Sequence, residues 1–184
     1  MKKIIAFALA VCVLFSLTGC SESMTSAERF LLAVKKMDFA AMKTELVADE
    51  TFGSFYLKLD TKPEEDSLLT LRNLYALVQY SIGEISEETA DEKTVEITLK
   101  ALDVKRICDQ VRAKVMASAK TAEQIVGEMI ADGSVAKTMM TESTFSVKMK
   151  KMDGEWKIPF EDAENKAFAE ALAIDDMMDF FVKY

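Results

Sequence analysis

Apolar positions change their spacing repeatedly along this chain, and each change marks an element. An almost unbroken apolar run, Ile4 to Leu17, comes first. Helical spacing follows in Ala27, Phe30, Leu31 and Val34 behind Thr25-x-x-Glu28, a capping box, and again in Phe39, Met42 and Leu46 behind Asp38 as N-cap. A third apolar patch, Phe52, Phe55, Tyr56 and Leu59, ends near Asp60-Thr61-Lys62-Pro63. Pro63 with Glu64, Glu65 and Asp66 opens the next helix, since acidic side chains suit its positive end; Leu68, Leu71, Leu74 or Tyr75, and Val78 continue it.

The period then turns to alternation. Tyr80 to Ile85 reads as a strand with Gly83 at a bulge, and Glu87 to Lys93 as a polar turn. Val95, Ile97, Leu99 and Ala101 alternate with Thr94, Glu96, Thr98 and Lys100, the pattern of a half-buried strand. Asp103 caps a return to helix with Val104, Ile107, Val111 and Val115 on one stripe. Thr121-x-x-Gln124 caps another carrying Ile125, Val126, Met129 and Ile130, and Asp132-Gly133 stops it. This is a helical insertion between strands, over about 103–142.

The sharpest local signal lies between Thr144 and Pro159. Asp153-Gly154 is a two-residue type I′ hairpin turn. It sets Met152 against Glu155, Lys151 against Trp156, Met149 against Ile158 and Val147 against Phe160. Phe145, Val147, Met149, Trp156, Ile158 and Phe160 then share one face, and Ser146, Lys148, Lys150 and Lys157 the other, so register and hydrophobic alternation agree. The remainder, from Phe160 to Tyr184, reads as a terminal helix broken or bent at Asp175-Asp176.

The opening run is too short to span a bilayer, which takes about 17–25 apolar residues, and it has the form of a secretory signal: Lys2-Lys3, an apolar middle, a small-residue end. With Leu17-Thr18-Gly19-Cys20 it resembles the bacterial lipoprotein signal. The resemblance implies cleavage after Gly19, diacylglycerol on Cys20 and acylation (palmitate or a similar chain) of the new amino terminus. Two or more chains make a stable anchor where one is marginal. Ser21 after Cys20 resembles the pattern of delivery to an outer membrane where the cell has one; otherwise the anchor lies on the outer side of the cytoplasmic membrane. Residues 20–25 are then the lipidated cysteine and a short tether, and 26–184 a single domain.

Without residues 1–19 the chain keeps 165 residues, with 21 basic and 31 acidic side chains and a net charge of −10. That length supports one core, and that charge repels nucleic acid. Cys108 is the one cysteine left beside Cys20, so no disulfide within the chain is expected; its apolar stripe makes it a small buried hydrophobe. There is no histidine, which removes Ser-His-Asp and Cys-His systems and His-ligated metals. Nor is there a glycine-rich phosphate loop.

Weaker constellations have plainer explanations. Eleven methionines could suit Cu(I), but Met149 faces the hairpin's inner side and Met129 a helix stripe, where Met fills gaps. The acidic groups Glu64-Glu65-Asp66, Glu161-Asp162-Glu164 and Asp175-Asp176-Asp179 lack the spaced loop of a calcium site. No cofactor or metal is expected. Lys148, Lys150 and Lys157 form a basic face on an acidic protein, a candidate surface contact for headgroups or an acidic partner.

Ala27-Glu28-Arg29-Phe30, Asp38-Phe39 and Asp153-Gly154-Glu155-Trp156-Lys157-Ile158 together resemble small bacterial lipoproteins of unknown function with a cystatin-like domain, related to nuclear transport factor two. The resemblance implies a sheet bent around helices to leave a cone, filled as a core or open as a pocket. The long insertion departs from the compact pattern. The expected architecture is α+β, with about four antiparallel strands packed on helices. The expected role is a lipid-anchored extracytoplasmic binding or accessory module for a protein or small apolar ligand, not an enzyme. The alternative is a carboxylate- or lysine-dependent enzyme of the cell envelope, recognisable by a cleft of convergent, perturbed carboxylates.

Overall fold

The computed structural model describes residues 22–48, 55, 58–60 and 63–183. The leader with Gly19 and Cys20, and Phe52 and Tyr56 of the third apolar patch, lie outside the described residues. Two helices come first, α1 (Glu22–Lys36) and α2 (Phe39–Glu45), then α3 (Glu65–Tyr75). Strands β1 (Gln79–Glu88) and β2 (Glu92–Leu102) follow. The insertion holds α4 (Val104–Ala117), α5 (Ala122–Ala131) and a short α6 (Ser134–Thr138). After it come β3 (Met140–Met152), β4 (Glu155–Lys157), α7 (Lys166–Leu172) and α8 (Ile174–Lys183). The strands form one antiparallel sheet in the order β1-β2-β3-β4. The fold is therefore α+β, with the helical insertion between the two middle strands.

Capping chemistry sets many of the boundaries. The Asp38 carboxylate accepts from the Ala41 N–H at 3.1 Å, and Asp103 from that of Arg106 at 3.0 Å. Thr121 and Gln124 form the reciprocal capping box. Gly133 takes φ +74 where α5 stops, and Asp153 and Gly154 take φ +51 and +86 in the type I′ turn. Register shifts in β1 fall between Ile82 and Ile85, around Gly83, whose missing Cβ lets the Glu96 side chain approach, and again between Ile85 and Glu87.

Several expectations move. α1 starts at Glu22, so Thr25 is inside the helix rather than its cap, and residues 22–25, expected as tether, are helical. The β1–β2 turn is confined to 89–91, because Thr89 closes it through its N–H to the Glu92 carbonyl and its hydroxyl. β3 starts at Met140, four residues before Thr144. β4 pairs only as far as Lys150 with Lys157; Ile158 leaves β3 and bridges Leu46 in parallel, so Met149–Ile158 and Val147–Phe160 do not pair. The terminal helix breaks at Ala173, left-handed at φ +45, two residues before Asp175.

Among the described residues, the helices that reach the sheet pack on one side of it. Val95, Ile97, Leu99, Val147 and Met149 point into that side and are fully buried. An aromatic line crosses the core: Phe55 stacks on Phe160 at 4.6 Å, Phe160 meets Phe30 at 5.4 Å, and Phe168 links to Phe145 at 5.9 Å. The other side of the sheet is polar, with Thr98 and Thr144 hydroxyls 2.9 Å apart across the strands.

Candidate functional site

The inner face of the sheet is filled at one end and open at the other. Along β3 its inward positions are Met149 and Val147, then Phe145, then Ser143 and Thr141. Across from the last two, α7 and the break after it present Ala171 and Ala173. Small side chains on both walls leave a cleft of about 730 Å³, floored by Leu99, Ala101 and Leu102 of β2. Its far wall is the first turns of α4, with Val104, Lys105, Cys108 and Arg112, and its rim on α8 carries Asp176, Asp179 and Phe180.

The rim is charged and mostly spoken for. Asp103 caps α4. Asp109 takes Lys105 at 3.2 Å and Arg112 at 3.4 Å, while the Arg112 guanidinium also sits 5.4 Å from the Phe180 ring centre. Asp179 is paired with Lys58 at 2.8 Å. Cys108 lines the wall, but burial pushes its thiol up to about 11, so it is protonated near neutral pH and not a ready nucleophile. Asp175, whose carboxyl burial holds above the usual range against the pull of Lys58, is not among the lining residues; it faces Lys58 behind the wall.

Beside the cleft, β3 has an open edge. Among the described residues no strand covers it beyond Lys150, and the Asn165 side chain takes the place of one residue. Its Oδ1 accepts from the Lys148 N–H at 2.8 Å, and its Nδ2 donates to the Lys148 carbonyl at 2.9 Å and to that of Pro159 at 3.0 Å. Backbone groups on a strand alternate in direction, so Glu142, Thr144 and Ser146 turn theirs the same way as Lys148. Among the described residues none pairs with them. Asn165 is completely buried, and nothing in its local sequence marks it.

The three lysines of the hairpin come to one region, each with carboxylates. Lys148 is 2.8 Å from Glu164 and 3.2 Å from Glu92, and its hydrogen bonds to them, Glu164 first, raise its pKa. Lys150 lies 3.3 Å from Asp162, which is held low by the Glu164 N–H and, further, by Lys150. Lys157 pairs with Glu155 at 2.6 Å, lowering that carboxyl, and donates to the Thr44 carbonyl. The face therefore carries matched rather than surplus charge. The acidic groups at 161–164 are its partners. Among the described residues no group of Cys, Asp and Glu is arranged to hold a metal ion. Met129, Met139, Met149, Met177 and Met178 are buried.

The closed end of the sheet holds the other polar constellation. Ser26 donates to Glu45 at 2.6 Å and lies 2.7 Å from the Trp156 carbonyl. Arg29 grips Glu45 with two hydrogen bonds of 2.7 and 2.8 Å. Burial would raise the Glu45 pKa, but the bonds from Arg29 and Ser26 outweigh it and leave the carboxyl below its ordinary value. This knot joins α1, α2 and the hairpin, which makes it structural.

No family model matches the chain, and no curated protein matches it. Among solved structures it is similar to YcdA of Bacillus subtilis, provisionally described as a lipoprotein, at 18% identity and a TM-score of 0.48, covering 82% of this chain and 55% of that one. The chain thus spans about half the length of that protein. A likeness at this level carries no argument about what either protein does. Among the described residues no helix is long and apolar enough to cross a membrane.

Proposed function

We propose that the protein is a lipid-anchored, extracytoplasmic binding or accessory module of cystatin-like build, non-catalytic, that takes its ligand at the cleft and the adjoining edge of β3. The observation that carries the binding part is the meeting of a cleft of about 730 Å³ with backbone groups at Glu142, Thr144 and Ser146 that pair with no described residue. An extended segment added to that edge gains main-chain hydrogen bonds, and its alternate side chains reach the cleft. A small apolar ligand would use the floor alone. The anchor rests on Leu17-Thr18-Gly19-Cys20 and the run before it.

Two experiments test the two parts. Metabolic labelling with a fatty-acid analogue should mark the wild type and not Cys20→Ser; equal label in both overturns the anchor. Titration of the isotope-labelled domain with extended peptides and with fatty acids should move the resonances of Ser143, Thr144 and Ala171. Shifts confined to the hairpin turn, or turnover of a cell-wall substrate that depends on Asp176, would favour the enzyme instead.

A further inference from the structure

We infer that on the lipidated protein the end of the sheet bearing the 89–91 and 153–154 turns lies against the bilayer, and that the cleft end faces away from it. This rests on the lipid-anchor reading above, and the occupant it names for the turn end is a phospholipid surface. The argument is one of chain length and attachment. Glu22, where α1 begins, is two residues past Cys20. Two peptide steps and one helical turn hold Cys20 within about 14 Å of Ser26 along the chain. Ser26 is itself fastened to the hairpin end, through Glu45 and the Trp156 carbonyl. Trp156 pairs with Lys151, next to the 153–154 turn, and the Lys151 N–H donates to Asp91 in the neighbouring turn. Both turns therefore gather where the acyl chains are attached.

The cleft lies at the opposite end. α1 runs away from the anchor until Lys35 stands over the Tyr80 ring, 6.0 Å from its centre. Tyr80 pairs with Leu99, and Leu99 with Ser143 on the cleft wall. Eight residues of strand separate Ser143 from Lys151, about 27 Å. The attachment is also stiff: Phe30 of α1 is in the aromatic core and Arg29 is clamped on Glu45. At the turn end Met152 and Lys151 are exposed beside the acids Asp91, Asp153 and Glu155, so the short connection, and not the charge of the face, sets the orientation. Lys148, Lys150 and Lys157, already matched with carboxylates, are not needed to set this orientation.

The test uses full-length lipidated protein, its modification first verified by mass, in phosphatidylcholine vesicles carrying a headgroup quencher. Fluorophores go on Met152→Cys and, separately, Ser143→Cys, both in a Cys108→Ala background. Quenching should be several-fold stronger at 152 than at 143. A flexible insert of Gly and Ser after Ser21 should abolish the difference, because the short connection is what orients the domain. Equal quenching without the insert, stronger quenching at 143, or a difference that survives the insert overturns the proposal while leaving the anchor intact. An unmodified Cys20, by contrast, overturns the anchor reading on which the proposal stands.

Discussion

The two ends of the sheet are made from the same strands and finished in opposite ways. At the turn end Glu45 is buried, yet it has Ser26 and both arms of the Arg29 fork, and Trp156 is covered by Lys93 at 4.5 Å and Lys151 at 5.6 Å from its ring centre. At the cleft end Ser143, Thr141, Ala171 and Ala173 replace the large residues that would close the core, and among the described residues no strand pairs with the outer edge of β3. Large apolar groups and satisfied polar ones concentrate stability at one end. Small residues and an open edge leave the other end available, a condition that ordinary folding alone does not favour, since edges invite unwanted pairing. Substitutions should therefore cost most at the turn end and least around the cleft.

The largest effect is expected at Trp156. It is 4% exposed and closes the core where β4 leaves the sheet. Trp156→Ala should lose about 3–5 kcal/mol through the cavity left behind, read by denaturant unfolding. A loss within a few tenths of wild type would dissolve the contrast between the ends.

What the sequence made legible was local. Asp38, Asp103 and Thr121 each act within three residues, and the Asp153-Gly154 turn sets the pairs next to it, so those caps and the tip of the hairpin could be read without the fold, whereas the Thr25 cap and the pairs beyond Lys150 and Lys157 could not. The alternation of β2 and the burial of Trp156 and Met149 followed from those. What stayed hidden was non-local. Asn165 stands in for a strand 17 residues away, and Glu45 finds Ser26 at a separation of 19. The break at Ala173 has no glycine or proline to announce it. The cleft is a coincidence of small residues on two elements, neither of which is unusual alone. The lysine face looked basic because the carboxylates that match Lys148 and Lys150 come from other segments, Glu92 and 162–164.

Glu45 comes next. Glu45→Gln keeps the shape but sets a neutral amide against the Arg29 fork and the Ser26 hydroxyl. Arg29 is half exposed, so solvent moderates the loss to about 1–2 kcal/mol near neutral pH. The sign with pH follows from the lowered Glu45 pKa. Its contribution is fully present above the ordinary carboxylate value and is lost as pH falls through the depressed one. Wild type and variant should thus converge in acid; a gap that stays constant with pH would mean that shape, not charge, holds the knot.

Filling the cleft should cost little. Ser143→Val suits a strand position opposite Leu99 and should change stability by no more than about 0.5 kcal/mol, while shrinking the space for a ligand. A loss well beyond that would show Ser143 to be engaged in structure, and the cleft end to be tighter than its small residues suggest.

The effect whose sign is most telling belongs to Asp175 behind the cleft wall. Its Oδ1 is buried without a hydrogen-bond partner, and Lys58 stands 3.6 Å away, too far for a good bond. Burial therefore raises the carboxyl's pKa, with Lys58 pulling against it and Asp179 adding repulsion. A raised acid destabilises the fold while ionised: the cost is complete above the folded pKa and disappears as pH falls through that value towards the ordinary one. Asp175→Asn removes the charge and leaves Lys58 its shorter partner, Asp179 at 2.8 Å. Much of the side chain reaches solvent, so screening keeps the gain under about 1 kcal/mol near neutral pH, shrinking towards zero in acid. This is opposite in sign to Glu45→Gln, although both variants replace a partly buried carboxylate with an amide. Unfolding curves for the two variants across the acid range would set the ends side by side. If Asp175→Asn instead loses stability at neutral pH, the Lys58 pair outweighs its burial, and the wall behind the cleft is built like the turn end after all.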